Sequence, residues 1–232
     1  MELIWQGTIQ AFWLLLQGDV EVFWITLLSL QVSGIATLLS LLLGIPLGTI
    51  IGLTRFPGRG IIVSLVNTGM GLPPVVVGLF VSIFLWRSGP LGVLGLLYTP
   101  TAIVIAQFII AFPVVTGLTM AGMQQIDPKL RLQLLGLGAS RIQLLFLLLR
   151  EARLSLLAAI MAGFGAVISE IGASMMVGGN ILRYTRVLTT ATVLETSKGN
   201  FDMAIAFSMI LLTITFLINW TLTAIQQRGV LA

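Results

Sequence analysis

Charged residues divide this chain into apolar intervals, each long enough for one membrane crossing. No charge lies between Glu21 and Arg55, between Arg59 and Arg87, between Arg87 and Asp127, or between Asp202 and Arg228. Between Arg153 and Arg183 the one charge is Glu170. A helix needs ~20 apolar residues to cross ~30 Å of hydrocarbon. The pattern therefore predicts five crossings, over about 24–53, 61–85, 100–125, 154–177 and 203–225. The runs show no period-2 alternation, which selects helices over a barrel. Residues 3–18 are uncharged but too short to span. Leu3, Trp5, Phe12 and Trp13 suit a helix lying at headgroup depth. The expected fold is an all-α polytopic membrane protein of five transmembrane helices plus an N-terminal interfacial helix.

Glycine and proline punctuate these runs. Gly34, Gly44, Pro46, Gly48 and Gly52 lie along the first crossing, where small residues allow close helix approach. Thr54-Arg-Phe-Pro-Gly-Arg-Gly60 reads as a tight basic turn. The second crossing carries Gly69-Met-Gly-Leu-Pro-Pro-Val-Val-Val-Gly78, and the third contains Pro113. Arg87 to Gly95 is a glycine-rich connection ending in a short re-entrant or interfacial piece. The connection 126–151 begins with a helix start at Asp127-Pro128, breaks at Leu137-Gly-Ala-Ser140 and resumes as a helix from Arg141. Gly178 to Asp202 is the most polar stretch of the chain.

Composition fits this reading: 57% of residues are hydrophobic and 9% charged, against ~25% charged in soluble domains. The length of 232 residues is that of one domain, taken here as 1–232. With the N-terminus outside, the inner segments hold eight basic residues: Arg55, Arg59, Lys129, Arg131, Arg141, Arg150, Arg153 and Arg228. The outer segments hold four: Arg87, Arg183, Arg186 and Lys198. The positive-inside rule favours that orientation and a cytoplasmic C-terminus. The net charge of +4 thus reflects topology and not a nucleic-acid footprint. With neither Cys nor His, the chain excludes thiol and imidazole chemistry and nearly all zinc sites. Neither Lys129 nor Lys198 sits in a phosphate-binding loop. No basic segment precedes the first apolar stretch, so no cleavable signal peptide is expected.

Glu170 is the one acid deep in a crossing, and such residues are functional candidates. It reads either as a structural hydrogen-bonding or ion-pairing group or as a gate. Pro73 and Pro74 read either as a simple kink or as a break exposing backbone amides and helix ends to a polar path. Arg183 and Arg186 could attract an oxyanion or grip an acidic partner; the alternative is solvated loop arginines.

Asp127-Pro-Lys-Leu, Leu137-Gly-Ala-Ser-Arg-Ile-Gln143 and Arg150-Glu-Ala-Arg153 together resemble the cytoplasmic coupling loop of ATP-binding-cassette (ABC) importer permeases. Leu132-Gln-Leu134 stands where that family carries its Glu-Ala-Ala. Gly71-Leu-Pro-Pro-Val-Val-Val-Gly78 is similar to the paired-proline segment of the molybdate, tungstate and sulfate permeases. Ile168 to Ile181, Tyr184 to Leu188 and Thr192 to Asn200 look most like the tungstate branch. The resemblance covers about residues 20–228 and implies a type I ABC importer permease working as a homodimer in the cytoplasmic (inner) membrane of a prokaryote.

The resemblance further implies that the lobe 126–151 docks on two separate ATPase subunits through Asp127, Leu137, Gly138, Ala139, Ser140 and Arg141. ATP and Mg would sit on those partners, with no cofactor on this chain, and an extracytoplasmic binding protein would deliver the oxyanion. Pro73, Pro74, Glu170, Ser174 and Asn180 become candidates for the translocation path or gate. The substrate implied is an oxyanion, tungstate first, with molybdate or sulfate as alternatives. Three rivals differ in kind. A secondary transporter would need embedded carboxylates or His for ion coupling, and only Glu170 is present. A Ser-Lys hydrolase would rest on Ser197-Lys198, adjacent on an outer loop. A purely structural bundle would leave the coupling-loop pattern unexplained.

Overall fold

A computed structural model describes Trp5, Thr8, Ile9, Trp13 and residues 19–228. The expected interfacial helix over 3–18 lies for the most part outside the described residues. Among the described residues, ten α-helices follow Asp19: α1 (Val20–Leu53), α2 (Arg59–Met70), α3 (Pro74–Leu85), α4 (Pro100–Gln124), α5 (Pro128–Gly136), α6 (Arg141–Glu151), α7 (Arg153–Ile168), α8 (Gly172–Gly178), α9 (Leu188–Ser197) and α10 (Phe201–Arg228). A single 3₁₀ turn, Gly92–Leu94, lies in the glycine-rich connection.

Three helices, α1, α4 and α10, are each long and apolar enough to cross a membrane alone. Counting α2 with α3 and α7 with α8 as broken spans gives five. The number of crossings thus agrees with the charge pattern, but two of them are not straight. The α2–α3 pair turns through 102° at Gly71-Leu72-Pro73, and the α7–α8 pair through 56° at Ser169-Glu170-Ile171. Pro73 and Pro74 explain the first break, because neither can donate the amide that a continuous helix requires there. The polar stretch after α8 is also more ordered than its composition suggests. It contains α9, whose Leu188, Thr189, Thr190 and Ala191 are buried.

The centre of the bundle is the crossing of α1 on α4. Lipid tails are as apolar as leucine, so hydrophobic burial does not drive helices together in a bilayer, and close van der Waals fit must do it. Gly44, Gly48 and Gly52 provide that fit on α1. A Cβ built on Gly48 would lie 2.5 Å from the Thr116 carbonyl oxygen, and one on Gly52 would lie 2.8 Å from Met123 Cβ. Bulky apolar side chains of α1, α3 and α10, among them Leu42, Phe80 and Phe216, stay exposed at the periphery. Many Ser and Thr hydroxyls in the helices donate to the carbonyl four residues back, as Ser29, Thr37, Ser40 and Thr116 do. They are thereby neutralised where water is absent.

Two ends of the bundle are distinct. At one, Val22 and Ile25 of α1 pack with Leu188, Ala191, Phe207 and Ile210. At the other, Leu53 meets a cluster of Met123, Leu144, Leu148 and Ala152. The glycine contact on α4 leads to a direct expectation. Gly48→Ala should destabilise the protein by about 1–3 kcal/mol through overpacking. Gly34→Ala, whose Cβ would meet nothing within 4 Å, should leave stability unchanged or raise it. Thermal unfolding of the two variants in detergent checks this.

Candidate functional site

The lobe is built from two short helices joined by a four-residue corner. Asp127 caps α5: its carboxylate accepts from the Lys129 amide at 2.8 Å, and Pro128 occupies the first helical position. At the other end of α5, the Ala139 amide donates to the Leu134 carbonyl at 3.1 Å and the Gly138 amide to that of Leu135 at 3.0 Å. This paired closure needs a left-handed residue between, and Gly138 has φ +84°. The next helix starts at once. Ser140 Oγ accepts from the Gln143 amide, and Gln143 Oε1 accepts from the Ser140 amide at 2.8 Å. Leu-Gly-Ala-Ser is thus a helix stop fused to a reciprocal helix start.

Leu144 and Leu148 of α6 are buried against Met123 and Ala152. Arg131 of α5 donates to the Leu53 carbonyl at 3.2 Å, and Arg59 Nε donates to that of Ile51 at 2.9 Å. These cations sit on the carbonyls that α1 leaves open at its C-terminus. The opposite surface of the lobe is apolar and open: Leu137 is 84% exposed and Ile142 81%, with Leu132 and Phe146 beside them. A cavity of about 360 Å³ lined by Arg55, Arg59, Asp127 and Arg131 lies between the lobe and the α1–α2 turn.

The α7–α8 break brings together residues distant in sequence. Glu170 is only 7% exposed. Its Oε1 accepts from the Ala173 amide at 2.8 Å, which caps the first turn of α8. Its carbonyl accepts from Thr189 Oγ1 at 2.9 Å. The Val167 carbonyl, in the last turn before the break, accepts from the Glu170 amide at 3.2 Å and from Gln107 Nε2 at 3.1 Å. Gln107 on α4 and Thr189 on α9 join this corner by hydrogen bonds, and sequence reasoning missed both. Gln107 is a lone amide in an apolar run, and only its position opposite the break gives it meaning. Gly78 of α3 abuts Ala173 of α8, so the two broken spans touch.

The remaining candidates fall in three places. Pro73 is exposed at the α2–α3 corner, with Pro74 at the first position of α3. Ser174 is 1% exposed, and its Oγ has no hydrogen-bond partner. Asn180 holds φ +51°, donates from Nδ2 to the Thr190 carbonyl at 3.3 Å, and so ties the loop to α9. Arg186 donates to the Asn180 carbonyl at 3.5 Å and faces Glu21 of α1 at 3.6 Å. Arg183, at φ +59°, is exposed and shares with Arg186, Glu21, Gln31 and Tyr184 a cavity of about 200 Å³. Beyond α9, the Lys198 ammonium at 2.8 Å and the Asn200 amide hold the Glu195 carboxyl below its usual pKa. Among the described residues no cluster of three or more acids could hold a metal ion.

The arrangement offers a bundle with two broken spans in contact and a capped lobe at one end. Residues 44–229 match the family described as "Binding-protein-dependent transport system inner membrane component". The chain is 40% identical over 199 residues to a probable anion ABC transporter permease protein of Haloferax volcanii, covering 84% of this chain and 86% of the relative. It is 39% identical over 228 residues to the tungstate uptake system permease protein TupB of Peptoclostridium acidaminophilum, covering 98% of this chain and 100% of the relative. In fold it is similar to a chain of the inward-facing MetNI methionine ABC transporter, with TM-score 0.73 at 19% identity over 94% of this chain and 97% of the other. The chain belongs to the family of inner-membrane components of binding-protein-dependent transport systems.

Proposed function

We propose that this chain is the membrane-spanning permease subunit of a tungstate importer, working as a homodimer with two separate ATPase subunits and an extracytoplasmic binding protein. The lobe carries the mechanistic part of the reading. A self-capped pair of helices outside the apolar spans displays Leu137 and Ile142 almost fully exposed. Such apolar surface marks a protein contact, and the partner required by an ABC importer is its ATPase. The relatives carry the substrate. The 39% identity runs the full length of a tungstate permease, whereas the molybdenum permease ModB of Escherichia coli stands at 28% over 219 residues.

In this reading the chain makes no bonds, and ATP and Mg stay on the partner. Closure of the ATPase pair draws the two lobes together. Leu144 and Leu148 pass that displacement to Met123 on α4 and, through Arg131, to the end of α1. The broken spans then move against each other and open the path outward. Glu170 acts as the anchor of the α7–α8 corner and not as a contact for substrate, since a carboxylate repels an oxyanion and this one is committed to the Ala173 amide. The N-terminus lies outside and the C-terminus in the cytoplasm.

Three measurements test this reading. Cysteine placed at Ser197 should be labelled by an impermeant reagent on intact spheroplasts, whereas cysteine at Ser140 should not; the reverse pattern overturns the orientation and the coupling assignment with it. Glu170→Gln, which keeps an acceptor for Ala173, should retain most uptake. Glu170→Leu leaves that buried amide unpaired and should cost about 1–3 kcal/mol of stability, read as lost thermal stability of the purified subunit. Gly138→Leu forces a branched side chain into a left-handed turn. It should leave the subunit inserted but weaken co-purification with the ATPase or uncouple hydrolysis from uptake in vesicles. Wild-type values for both would place coupling elsewhere.

A further inference from the structure

The two faces of α2 differ in chemistry. One face is packed: Val66 is buried, Ile62 and Val63 lie against Ile51 and Met120, and a Cβ on Gly69 would meet the Pro113 ring at 2.7 Å. The opposite face is open, and at about 100° per residue it separates into two sectors. One sector, of Ile61 and Leu65, is apolar and exposed. The other, of Gly60, Ser64, Asn67 and Thr68, is exposed and offers only hydroxyl, amide and backbone groups. It runs along the helix to the 102° corner at Gly71-Leu72-Pro73.

Hydrogen bonding separates this sector from most other exposed hydroxyls of the helices, Thr101 at the start of α4 being an exception. Ser169, Thr213 and Thr221 each donate to the carbonyl four residues back, a state compatible with lipid. The side chains of Ser64, Asn67 and Thr68 donate to nothing within the described residues. An unpaired amide or hydroxyl in hydrocarbon costs several kcal/mol, so this sector does not face lipid tails. The adjoining Ile61 and Leu65 sector can.

We infer that Ser64, Asn67 and Thr68 line the aqueous path and bind the oxyanion in transit, an inference that rests on the proposed transport function. A tetrahedral dianion carries acceptors only and needs donors in place of its water shell. A neutral amide beside two hydroxyls supplies them without a fixed cation. Conduction requires sites weak enough to release the ion, and neutral dipoles meet that requirement where an arginine would hold it. Sequence reading assigned the path to the paired prolines and the α7–α8 segment. The donors lie one to three turns earlier, on a face of α2 that packs on nothing among the described residues.

The chain has no native cysteine, so single replacements report cleanly. Ser64→Cys, Asn67→Cys, Thr68→Cys and the controls Ile61→Cys and Leu65→Cys are compared in the permease–ATPase complex in lipid nanodiscs, with a charged methanethiosulfonate reagent reaching both sides. The three path positions should react and the two controls should not, and tungstate should slow the reaction. In vesicles, Asn67→Leu should lower tungstate uptake about tenfold, the loss expected for one hydrogen bond to a charged group, with the complex still assembled. Leu65→Ala should transport normally. Equal reactivity of the two sets, or no reaction at the path positions, overturns the inference. Protection by sulfate or molybdate but not by tungstate would uphold the path while overturning the substrate assigned above. If the wild-type complex moves no oxyanion at all, the transport reading fails, and protection at the three positions is then decisive against or for an anion site on α2.

Discussion

The Val167 carbonyl, at the end of α7, has lost its regular helical partner and keeps only a turn-type bond from the Glu170 amide at 3.2 Å, and in a bilayer there is no water to complete its set. That constraint governs the α7–α8 corner: each backbone group released by a break in a span must find a partner from another element. Gln107 reaches across from α4 to the Val167 carbonyl, Thr189 comes from α9 to the Glu170 carbonyl, and the Glu170 side chain turns back onto the Ala173 amide. Each bond fixes one element against another. Satisfying the break therefore also fixes the positions of α4, α7, α8 and α9. A buried carboxylate, a buried amide and a buried threonine are kept in an apolar bundle for one shared reason.

The same constraint sets what the unbroken helices can do. On α1, hydroxyls turn back onto their own helix, and glycines let the α4 backbone approach, so contact is made by shape and not by polar bonding. One exception is Ser29. Its hydroxyl donates to Ile25 and also accepts from the Leu188 amide at 2.8 Å, joining α1 to the start of α9 across 159 residues of sequence. The α9 end of the bundle is thus held by polar bonds and its centre by close packing.

Much of this was legible in the sequence because its signals are local. Charge-free intervals gave five spans; Asp127-Pro128 and Leu137-Gly-Ala-Ser140 gave the start of α5, the break after it and the start of α6. What stayed hidden depends on long-range pairing. Two adjacent prolines announce a break but not its 102° turn, which is set by what α2 and α3 pack against. Residues 188–197 read as polar loop because their threonines are polar, yet Thr190 caps α9 at the Val187 amide and Thr189 serves the α7–α8 corner. Ser174 and Asn180 stood out as donors in the sequence, but the fold turns Ser174 inward and binds Asn180 to α9. The polar sector of α2 has helical spacing, but only the packed opposite face shows that it is unoccupied.

The corner at Leu137-Gly-Ala-Ser140 makes its closing hydrogen bonds within the lobe itself, between Gln133 and Gln143. Its shape is therefore set before any partner arrives. A loop ordered only on contact would give up about 1–2 kcal/mol of backbone entropy per residue at that moment. A preformed corner avoids that loss, so more of the contact energy remains as affinity. In the proposed importer, these internal bonds would let a displacement applied at Leu137 pass on to the helices instead of being absorbed by the turn. Rigidity here makes a short polypeptide corner usable as a lever.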